Sequence, residues 1–240
     1  MSRTDQAQAQ AHAGVLRVVP LAPGATRIVL VRHGEAECNL NRVVGGVKGC
    51  TGLTDLGRRQ VAALADRLYE SGELRGATAL YSSVLPRAVE TAERLRPVVG
   101  PGPTALGPVL ERCDLCELHP GESDGMSWDD MVDVFGVPDW DRDPGVPLAA
   151  GGESWSGFIV RAADAVRGLA RRHPGELIVA AVHAGVIEAC LISFLGVPAD
   201  LYRRGWVHIV HASMTEIAWV PDGDRFILLR FNDACGIPSR

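Results

Sequence analysis

A buried strand that ends in charged residues is the feature that most constrains this chain. The apolar run Ile-Val-Leu-Val at residues 28–31 is followed at once by Arg32, His33, Gly34 and Glu35. Four β-branched or leucine residues in a row are typical of a strand that is buried on both faces, as parallel strands are. In open α/β sheets such strands deliver ligand-binding groups at their carboxyl ends. The run therefore predicts a strand whose end presents a cation and an imidazole to a ligand.

Strand and helix patterns alternate over the first three quarters of the chain. Strands are predicted at residues 26–32, 77–82, 104–110, 177–182, 207–210, 214–220 and 226–231. Helices are predicted after caps at Thr54, Ser83 and Ser154, and at residues 128–135 and 186–195. A turn at residues 221–224 joins the last two strands in a hairpin. This order predicts an α/β fold, a three-layer α/β/α sandwich with a mainly parallel sheet, an antiparallel edge strand and a small cap insertion.

Length and charge limit the domain organisation and the partners. A chain of 240 residues is expected to form one domain with a substantial core. We expect residues 1–24 to be a flexible extension and residues 25–240 a single domain, with residues 111–153 as its cap. A net charge of −5 argues against binding nucleic acid or an anionic membrane surface. No apolar run suffices for a membrane span and the first 24 residues are a poor signal peptide, so a cytoplasmic protein is predicted.

The six cysteines do not suggest a disulfide scaffold in a chain of this length. Cys113 and Cys116 form the only C-x-x-C pair, and no His-x-x-x-His follows it. A structural zinc site is therefore not expected, and neither a metal nor a cofactor is predicted. Two partly buried loop thiols are the favoured interpretation of the pair, with a local redox role as the weaker alternative.

Further parts of a phosphate pocket follow the other strands. Arg32 and His33 alone would make an ordinary surface loop. His183 ends the predicted strand at residues 177–182 and precedes a helix, whose first N–H groups attract an anion. Arg87 lies in the helix that follows the strand at residues 77–82. Three strand ends thus supply two guanidinium groups and two imidazoles, which together can surround a phosphate dianion.

Seven short stretches in this order resemble the histidine phosphatase superfamily, in its branch 1 of phosphoglycerate mutase-like proteins. The stretches lie between about residues 26 and 235, at residues 30–35 with Asn39, 52–57, 82–92, 111–112, 151–154, 182–185 and 231–233. The resemblance implies a phosphatase, a metal-independent phosphomonoesterase that acts on a small phosphorylated metabolite. His33 would be the nucleophile, forming a phosphohistidine that water then hydrolyses.

The resemblance also implies roles for the residues around this nucleophile. Those expected to bind the phosphate and to stabilise the charge of the transition state are Arg32, Asn39, Arg87, His183 and Ala184. Glu111 stands where the family carries the acid that protonates the leaving oxygen. Three nearby acids remain alternatives for that role, namely Glu117, Glu122 and Asp124.

The charge of residues 111–160 bears on which reaction is performed. This region holds twelve acidic and two basic residues, so it would repel the second anionic group of a mutase substrate. The balance favours a phosphatase over a phosphoglycerate mutase, with a leaving alcohol that is neutral, polar or cationic. Trp128, Trp140 and Trp155 form an apolar wall or simply pack. A non-hydrolytic phosphate-binding protein ranks below both enzymes, and a monomer or homodimer is expected.

Overall fold

A mixed six-stranded sheet forms the centre of the protein. The structure is a computed structural model that describes residues 21–101, 106–197 and 207–239. The strands, listed in chain order, are β1 Thr26–Arg32, β2 Ala77–Ser82, β3 Leu110–Glu111, β4 Leu177–Val182, β5 Met214–Val220 and β6 Arg225–Asp233. Their order across the sheet is β3-β2-β4-β1-β5-β6. Neighbours from β3 to β1 are parallel, whereas β5 runs antiparallel to both β1 and β6. The predicted antiparallel strand is thus β5, which lies one place in from the edge.

Helices cover both faces of the sheet. They are α1 Glu37–Leu40, α2 Asp55–Ser71, α3 Pro86–Leu95, α4 Trp128–Phe135, α5 Trp155–Arg172 and α6 Ala184–Leu195, with short 3-10 turns at Cys113–Leu115 and Gly121–Ser123. Thr54 and Ser154 cap α2 and α5 as predicted, each accepting a hydrogen bond from a backbone N–H of the first turn. Among the described residues, none of these helices combines the length and the apolar character that crossing a membrane requires.

Alternate residues of β1 enter two separate cores. Ile28 and Leu30 pack with Phe158 of α5 on one face, while Val29 and Val31 pack in the core that α2 and α3 cover. Successive strand residues point to opposite faces, so a continuous apolar run is required wherever both faces are covered. The three-layer α/β/α sandwich is therefore confirmed, and it buries β1 in the middle of the sheet.

Four local predictions need correction. Ser83 does not cap α3; that position is Leu85, and the Ser83 hydroxyl bonds to a histidine described below. Residues 207–210 are not a strand, because Asn232 holds them by accepting from Val210 N and donating to the His208 carbonyl oxygen. The strand expected at residues 104–110 is limited to Leu110–Glu111, with residues 104–105 outside the described part. Helix α6 begins two residues earlier than predicted.

The segment between β3 and α5 lies over the carboxyl ends of the strands. It contains α4 and joins the loop after β1, where Val44 N donates to the carbonyl oxygen of Met126. Val44, Met131 and Leu148 form a small core of their own, with Trp140 packed against it. This separate core holds the segment above the edge of the sheet at which the predicted phosphate groups lie.

Candidate active site

Arg87 occupies the space between two histidines at the carboxyl ends of β1 and β4. Its Nε donates to His33 Nε2 at 3.1 Å and to His183 Nδ1 at 3.2 Å. The two imidazole rings lie edge to face with their centres 5.1 Å apart, and all three side chains are buried. The register of the sheet explains the arrangement, because Arg32 pairs with Val182 and a histidine follows each of them.

The hydrogen bonds define which ring nitrogens carry a proton. An arginine N–H can only donate, so His33 Nε2 and His183 Nδ1 both accept from Arg87. The proton of His33 is therefore on Nδ1, which donates to the carbonyl oxygen of Gly34 at 2.6 Å. The proton of His183 is on Nε2, which donates to Ser83 Oγ at 2.7 Å. His33 thus holds an unprotonated Nε2, the form that can attack an electrophile.

Burial and positive neighbours keep both imidazoles neutral. Burial is the largest cause that lowers the pKa of His33 well below its ordinary value, and the charge of Arg87 comes next. The same two causes, in the same order, lower the pKa of His183. A third imidazole, that of His211, lies with its ring centre 5.7 Å from that of His33. His33 is therefore available as a nucleophile at pH 7 without a separate base.

Arg32 supplies the second guanidinium group. Its Nη1 donates to the carbonyl oxygen of Ile209, and its buried Nε has no hydrogen-bond partner among the described residues. Burial lowers the pKa of Arg32 to about 10 against the opposing charge of Glu117, so the group stays charged at pH 7. A buried N–H without an acceptor is costly, and an anion in the pocket would accept from it.

Two further predicted residues, Asn39 and Ala184, also line the pocket. Asn39 Oδ1 accepts from Ala36 N at 3.1 Å, which fixes the side-chain amide at the pocket wall. Arg87 Nη1 reaches across to the same loop and donates to the carbonyl oxygen of Gly45 at 2.7 Å. Ala184 is the first residue of α6, so the N-terminal end of that helix, with its partial positive charge, faces the site.

Glu111 does not reach this pocket. It ends the edge strand β3, its side chain is exposed, and it is not among the residues that line the cavity. Glu117, one of the alternatives, does line the cavity, and its Oε2 accepts from Gly185 N at 3.1 Å. The prediction that Glu111 lies in the site is therefore wrong. The chain first makes the Cys113–Leu115 turn, and only after it comes back over the sheet.

The other two alternatives also lie elsewhere. Asp124 accepts from the backbone N–H groups of Lys48 and Gly49, at 2.9 and 3.0 Å, and so holds the loop after β1. Neither Asp124 nor Glu122 lines the cavity. A Cβ on Gly185 would lie 2.2 Å from Glu117 Oε1, so the absence of a side chain there is what admits the carboxylate to the helix end.

Arg161 of α5 holds the segment that carries Glu117. Its guanidinium donates to the carbonyl oxygens of Asp114, Cys116 and Glu117, at 2.9, 3.1 and 3.3 Å. The same group forms a two-pronged ion pair with Glu153, both contacts being 2.7 Å. Glu153 in turn accepts from the backbone N–H that lies two residues after Glu117. The backbone on both sides of Glu117 is thereby fixed to α5.

The cavity extends from these charged groups to an apolar wall. Its volume is about 430 Å³. The wall is formed mainly by side chains of the segment between β3 and α5: Leu118, Trp128, Met131, Val137, Pro138, Trp140 and Leu148, with Val44 and Trp155 beside them. The predicted apolar wall of three tryptophans is thus present, and Trp140 also stacks on Trp155 at 5.6 Å between ring centres. Among the described residues that line the cavity, the only arginines are Arg32 and Arg87.

Sequence reasoning missed several residues of the site. Ser83 has a signal in the sequence, since it directly follows a strand that ends beside β4, but the same pattern also predicts a helix cap. Glu188 of α6 has a buried carboxyl group that lines the cavity, and no motif in the sequence indicates it. Arg161 is more than forty positions from the carbonyl groups it binds, so no local pattern indicates the contact.

A mixed α/β sheet with a guanidinium between two histidines at its carboxyl edge defines a class of phosphoryl-transfer proteins. The model of the histidine phosphatase superfamily (branch 1) matches residues 28–234. The chain belongs to this superfamily, as its motifs had indicated.

Individual relatives agree with this assignment. The chain is 30% identical over 205 residues to a metal-independent phosphoserine phosphatase of Arabidopsis thaliana, covering 82% of this chain and 80% of that protein. It is 32% identical over 169 residues to phosphoglycerate mutase-like protein 4 of the same plant, covering 68% of each. The solved structure of Bacillus stearothermophilus YhfR superposes with a TM-score of 0.72 at 26% identity, over 87% of this chain and 97% of that one. The predicted enzyme class, a histidine-type phosphatase, is thereby confirmed.

Proposed function

We propose that the protein hydrolyses phosphomonoesters in two steps through a phosphohistidine at His33. In the first step Nε2 of His33 attacks phosphorus, a P–N bond forms and the P–O bond to the alcohol breaks. In the second step water replaces the imidazole and inorganic phosphate leaves. The observation that carries the proposal is the Nε2 of His33, unprotonated and held 3.1 Å from Arg87 Nε in a buried pocket.

The guanidinium groups and other polar groups of the pocket would stabilise the charge of the transferred phosphoryl group. Arg32, Arg87 and His183 lie around Nε2 of His33, and the helix end at Ala184 adds backbone N–H groups. Guanidinium groups suit phosphate because each donates two parallel hydrogen bonds to its oxygens. Their charge is what a divalent cation supplies in other phosphoryl-transfer sites, so this arrangement fits metal-independent chemistry.

Glu117 is the proposed proton donor and acceptor. Its carboxyl group lies in the pocket at the end of α6, where it can protonate the leaving oxygen in the first step. The same group can then take a proton from the attacking water, so the carboxyl returns to its starting state after each turnover. The contacts with Arg161 set its position without blocking the side chain.

The walls of the cavity favour a particular class of leaving alcohol. The arginines among the described lining residues both belong to the phosphate end, and the carboxyl side chains that line the cavity are those of Glu117 and Glu188. A second phosphate or a carboxylate on the substrate would lie against these acids and an apolar wall. It would lose its hydration without gaining a cation to pair with, which is unfavourable. We propose a small monoester whose alcohol is apolar or aromatic, uncharged or cationic. The same feature favours hydrolysis over mutase activity.

Isotope trapping tests the mechanism. Wild type should hydrolyse phenyl phosphate in EDTA, and His33→Ala should not. Glu117→Gln should accumulate ³²P on the protein from labelled phenyl phosphate, because loss of the base slows the attack of water. The quench uses SDS at alkaline pH, since the P–N bond is acid-labile. Label that stays on a His33→Ala/Glu117→Gln protein, or turnover by His33→Ala, would refute the proposal.

Leaving-group dependence separates Glu117 from the acids that were considered with it. Glu117→Gln should reduce kcat/KM, which reports the first step, by about 10²–10⁴-fold for alkyl phosphates and much less for aryl phosphates, because a phenolate leaves without protonation. Glu111→Gln and Glu122→Gln are the matched controls and should retain wild-type rates with both substrates. Equal losses of kcat/KM with both substrate classes in Glu117→Gln would contradict its role as the acid. If phenyl phosphate is only bound, with no turnover and no label, a phosphate-binding protein is the better hypothesis.

The alcohol preference is tested with a panel of esters. Phenyl phosphate and phosphocholine should be hydrolysed with a higher kcat/KM than 3-phosphoglycerate, which carries a carboxylate. A preference for 3-phosphoglycerate, or transfer of label from a bisphosphate to a second substrate, would overturn this part. The expected cytoplasmic location and the monomeric or homodimeric state stay predictions, as does the absence of nucleic-acid and membrane partners.

A further inference from the structure

Two thiols and an imidazole converge beside the segment that carries Glu117. One ligand atom each from Cys113, Cys116 and His119 lies within 4.8 Å of the others. The Cys113–Leu115 turn causes this convergence, because Cys116 N donates to the carbonyl oxygen of Cys113 and the two side chains come to the same side. None of the three residues lines the phosphate pocket. The cluster is therefore separate from the proposed phosphatase chemistry.

The spacing of these atoms matches tetrahedral zinc. Zn–S and Zn–N bonds of about 2.3 and 2.05 Å at a tetrahedral angle place the sulfur about 3.6 Å from the nitrogen. Cys113 Sγ lies 3.7 Å from His119 Nε2. The ligand atom of Cys116 lies within 4.8 Å of both. Little movement of the side chains would be needed to place an ion between the three.

A carboxylate behind the imidazole completes the pattern. Glu153 Oε2 lies 3.5 Å from His119 Nδ1, on the opposite side of the ring from the thiols. It also accepts from His119 N at 2.9 Å and is fixed by Arg161. A carboxylate in this position favours a proton on Nδ1 and leaves Nε2 free to bind a metal, as is common in zinc sites. The orientation of His119 is thus set by groups outside the cluster.

We propose that Cys113, Cys116 and His119 bind one zinc ion, with water or an external ligand in the fourth position. Two thiolates and an imidazole are the donors that zinc accepts in proteins, whereas magnesium and calcium prefer oxygen. Cys113 is exposed, which leaves the ion an entry path and room for the fourth ligand. The ion would be structural, since it links residues on both sides of Glu117 and leaves that carboxyl group unbound.

Cobalt spectroscopy tests the site directly. Full-length wild type, reduced and stripped with a chelator, should bind one equivalent of Co²⁺ with a thiolate-to-cobalt band and tetrahedral d–d bands. Zn²⁺ should abolish these bands by displacement. Cys113→Ser and His119→Ala should lose them, and Glu153→Gln should bind about 10–100-fold more weakly. Zinc should also raise the unfolding temperature of wild type and leave that of Cys113→Ser unchanged.

Two control variants exclude binding at the pocket. Cys50→Ser alters a buried thiol beside the pocket residue Cys38, and His33→Ala removes the proposed nucleophile. Both should give the wild-type cobalt spectrum with its displacement by zinc. No thiolate band in folded wild type, or a band that survives Cys113→Ser but disappears in Cys50→Ser or His33→Ala, would overturn the proposal. The cobalt spectrum reports metal binding and the EDTA assay reports hydrolysis. The zinc proposal can therefore fail while the phosphatase proposal holds, and the phosphatase proposal can fail while the zinc proposal holds.

Discussion

Removal of the Arg161 guanidinium should let the backbone around Glu117, the proposed acid, shift relative to the rest of the site. The group makes three hydrogen bonds to backbone carbonyl oxygens around Glu117 and two to the Glu153 carboxylate. Burial opposes ionisation of Glu153, yet the hydrogen bonds and charge of Arg161 keep the pKa of that carboxyl below its ordinary value. The Arg161→Ala variant removes all five of these hydrogen bonds, and among the described residues the Glu153 carboxylate keeps only the one from the His119 backbone N–H.

The size of the effect on stability follows from burial. Breaking a fully buried ion pair by removing one partner costs about 3–5 kcal/mol. Here the side chains of Arg161 and Glu153 remain 19% and 20% exposed, so water can satisfy part of what is lost. We expect the free energy of unfolding of Arg161→Ala to fall by about 2–3 kcal/mol. Arg161→Lys, which keeps the charge without the planar fork, should lose about half as much.

The effect on activity should depend on the substrate. A shift of the Glu117 backbone by about 1 Å can reduce the rate by about 10²-fold for a step that needs the carboxyl group. Hydrolysis of alkyl phosphates should therefore fall by about that factor in kcat, with little change in KM. The kcat/KM for aryl phosphates, which reports the first step, should fall less, since a phenolate needs no proton from Glu117.

Urea unfolding and steady-state kinetics of four proteins provide the assay. Arg171→Ala is the matched control, because it removes an exposed arginine of the same helix that pairs with Asp224. Such surface pairs are worth at most about 1 kcal/mol, and the control should keep wild-type kinetics. The reasoning is refuted if Arg161→Ala unfolds like Arg171→Ala, or if its kcat/KM falls to the same extent for alkyl and aryl phosphates. If Arg161→Ala does not fold, the comparison is made on Arg161→Lys.

Two further predictions concern the histidines. Ser83→Ala should lower kcat by about 10-fold without changing the fold, because Nε2 of His183 loses the hydroxyl that fixes its tautomer. Ser82→Ala is the control, because the buried hydroxyl of Ser82 has no partner among the described residues. Equal rates in the two variants would disprove the role of Ser83. The pKa values of His33 and His183 are lowered in the folded protein, so between the folded and unfolded pKa values these groups bind protons only after unfolding. Their contribution to stability is therefore complete above about pH 6.5. It is lost as the pH falls from there toward the folded pKa values. Urea unfolding at pH 7.5 and 5.5 should show this loss, with the free energy of unfolding falling by up to about 1.4 kcal/mol per pH unit for each histidine. If the free energy of unfolding depends on pH equally in His33→Gln and wild type, the explanation is contradicted.

The sheet could be predicted from sequence because its signal is local. A strand with both faces covered must be apolar at every position, and β1 and β4 carry such runs next to a histidine. Two parallel strands that end in the same way then place their histidines together, whatever the loops do. The polar strand end and the apolar run are neighbours in the chain, so a single window of sequence contains both. For the same reason Thr54 and Ser154 could be assigned as helix caps.

The identity of the proton donor depends instead on the path of the chain after β3. Glu111 and Glu117 are six positions apart in an acidic region. Glu111 follows a leucine and Glu117 follows a cysteine, so their immediate neighbours do not tell them apart. What distinguishes them is the Cys113–Leu115 turn, the open space over Gly185 and the arginine that arrives from α5. The last two are contacts between residues far apart in sequence, and a pattern in one window cannot encode them.

The same turn also brings Cys113 and Cys116 together. The segment after β3 thereby carries both the proposed acid and the proposed metal ligands, which local sequence patterns do not connect. As a sequence motif, the cysteine pair lacks the second ligand pair of a zinc finger and so does not predict a zinc site. In three dimensions His119 supplies a third ligand, and Glu153 serves both the imidazole and the guanidinium that positions Glu117. An ion on one side of this carboxylate and Arg161 on the other would restrain the backbone of one short segment from two directions. If both proposals hold, the precision of proton transfer in this protein depends on a cluster that never touches the substrate.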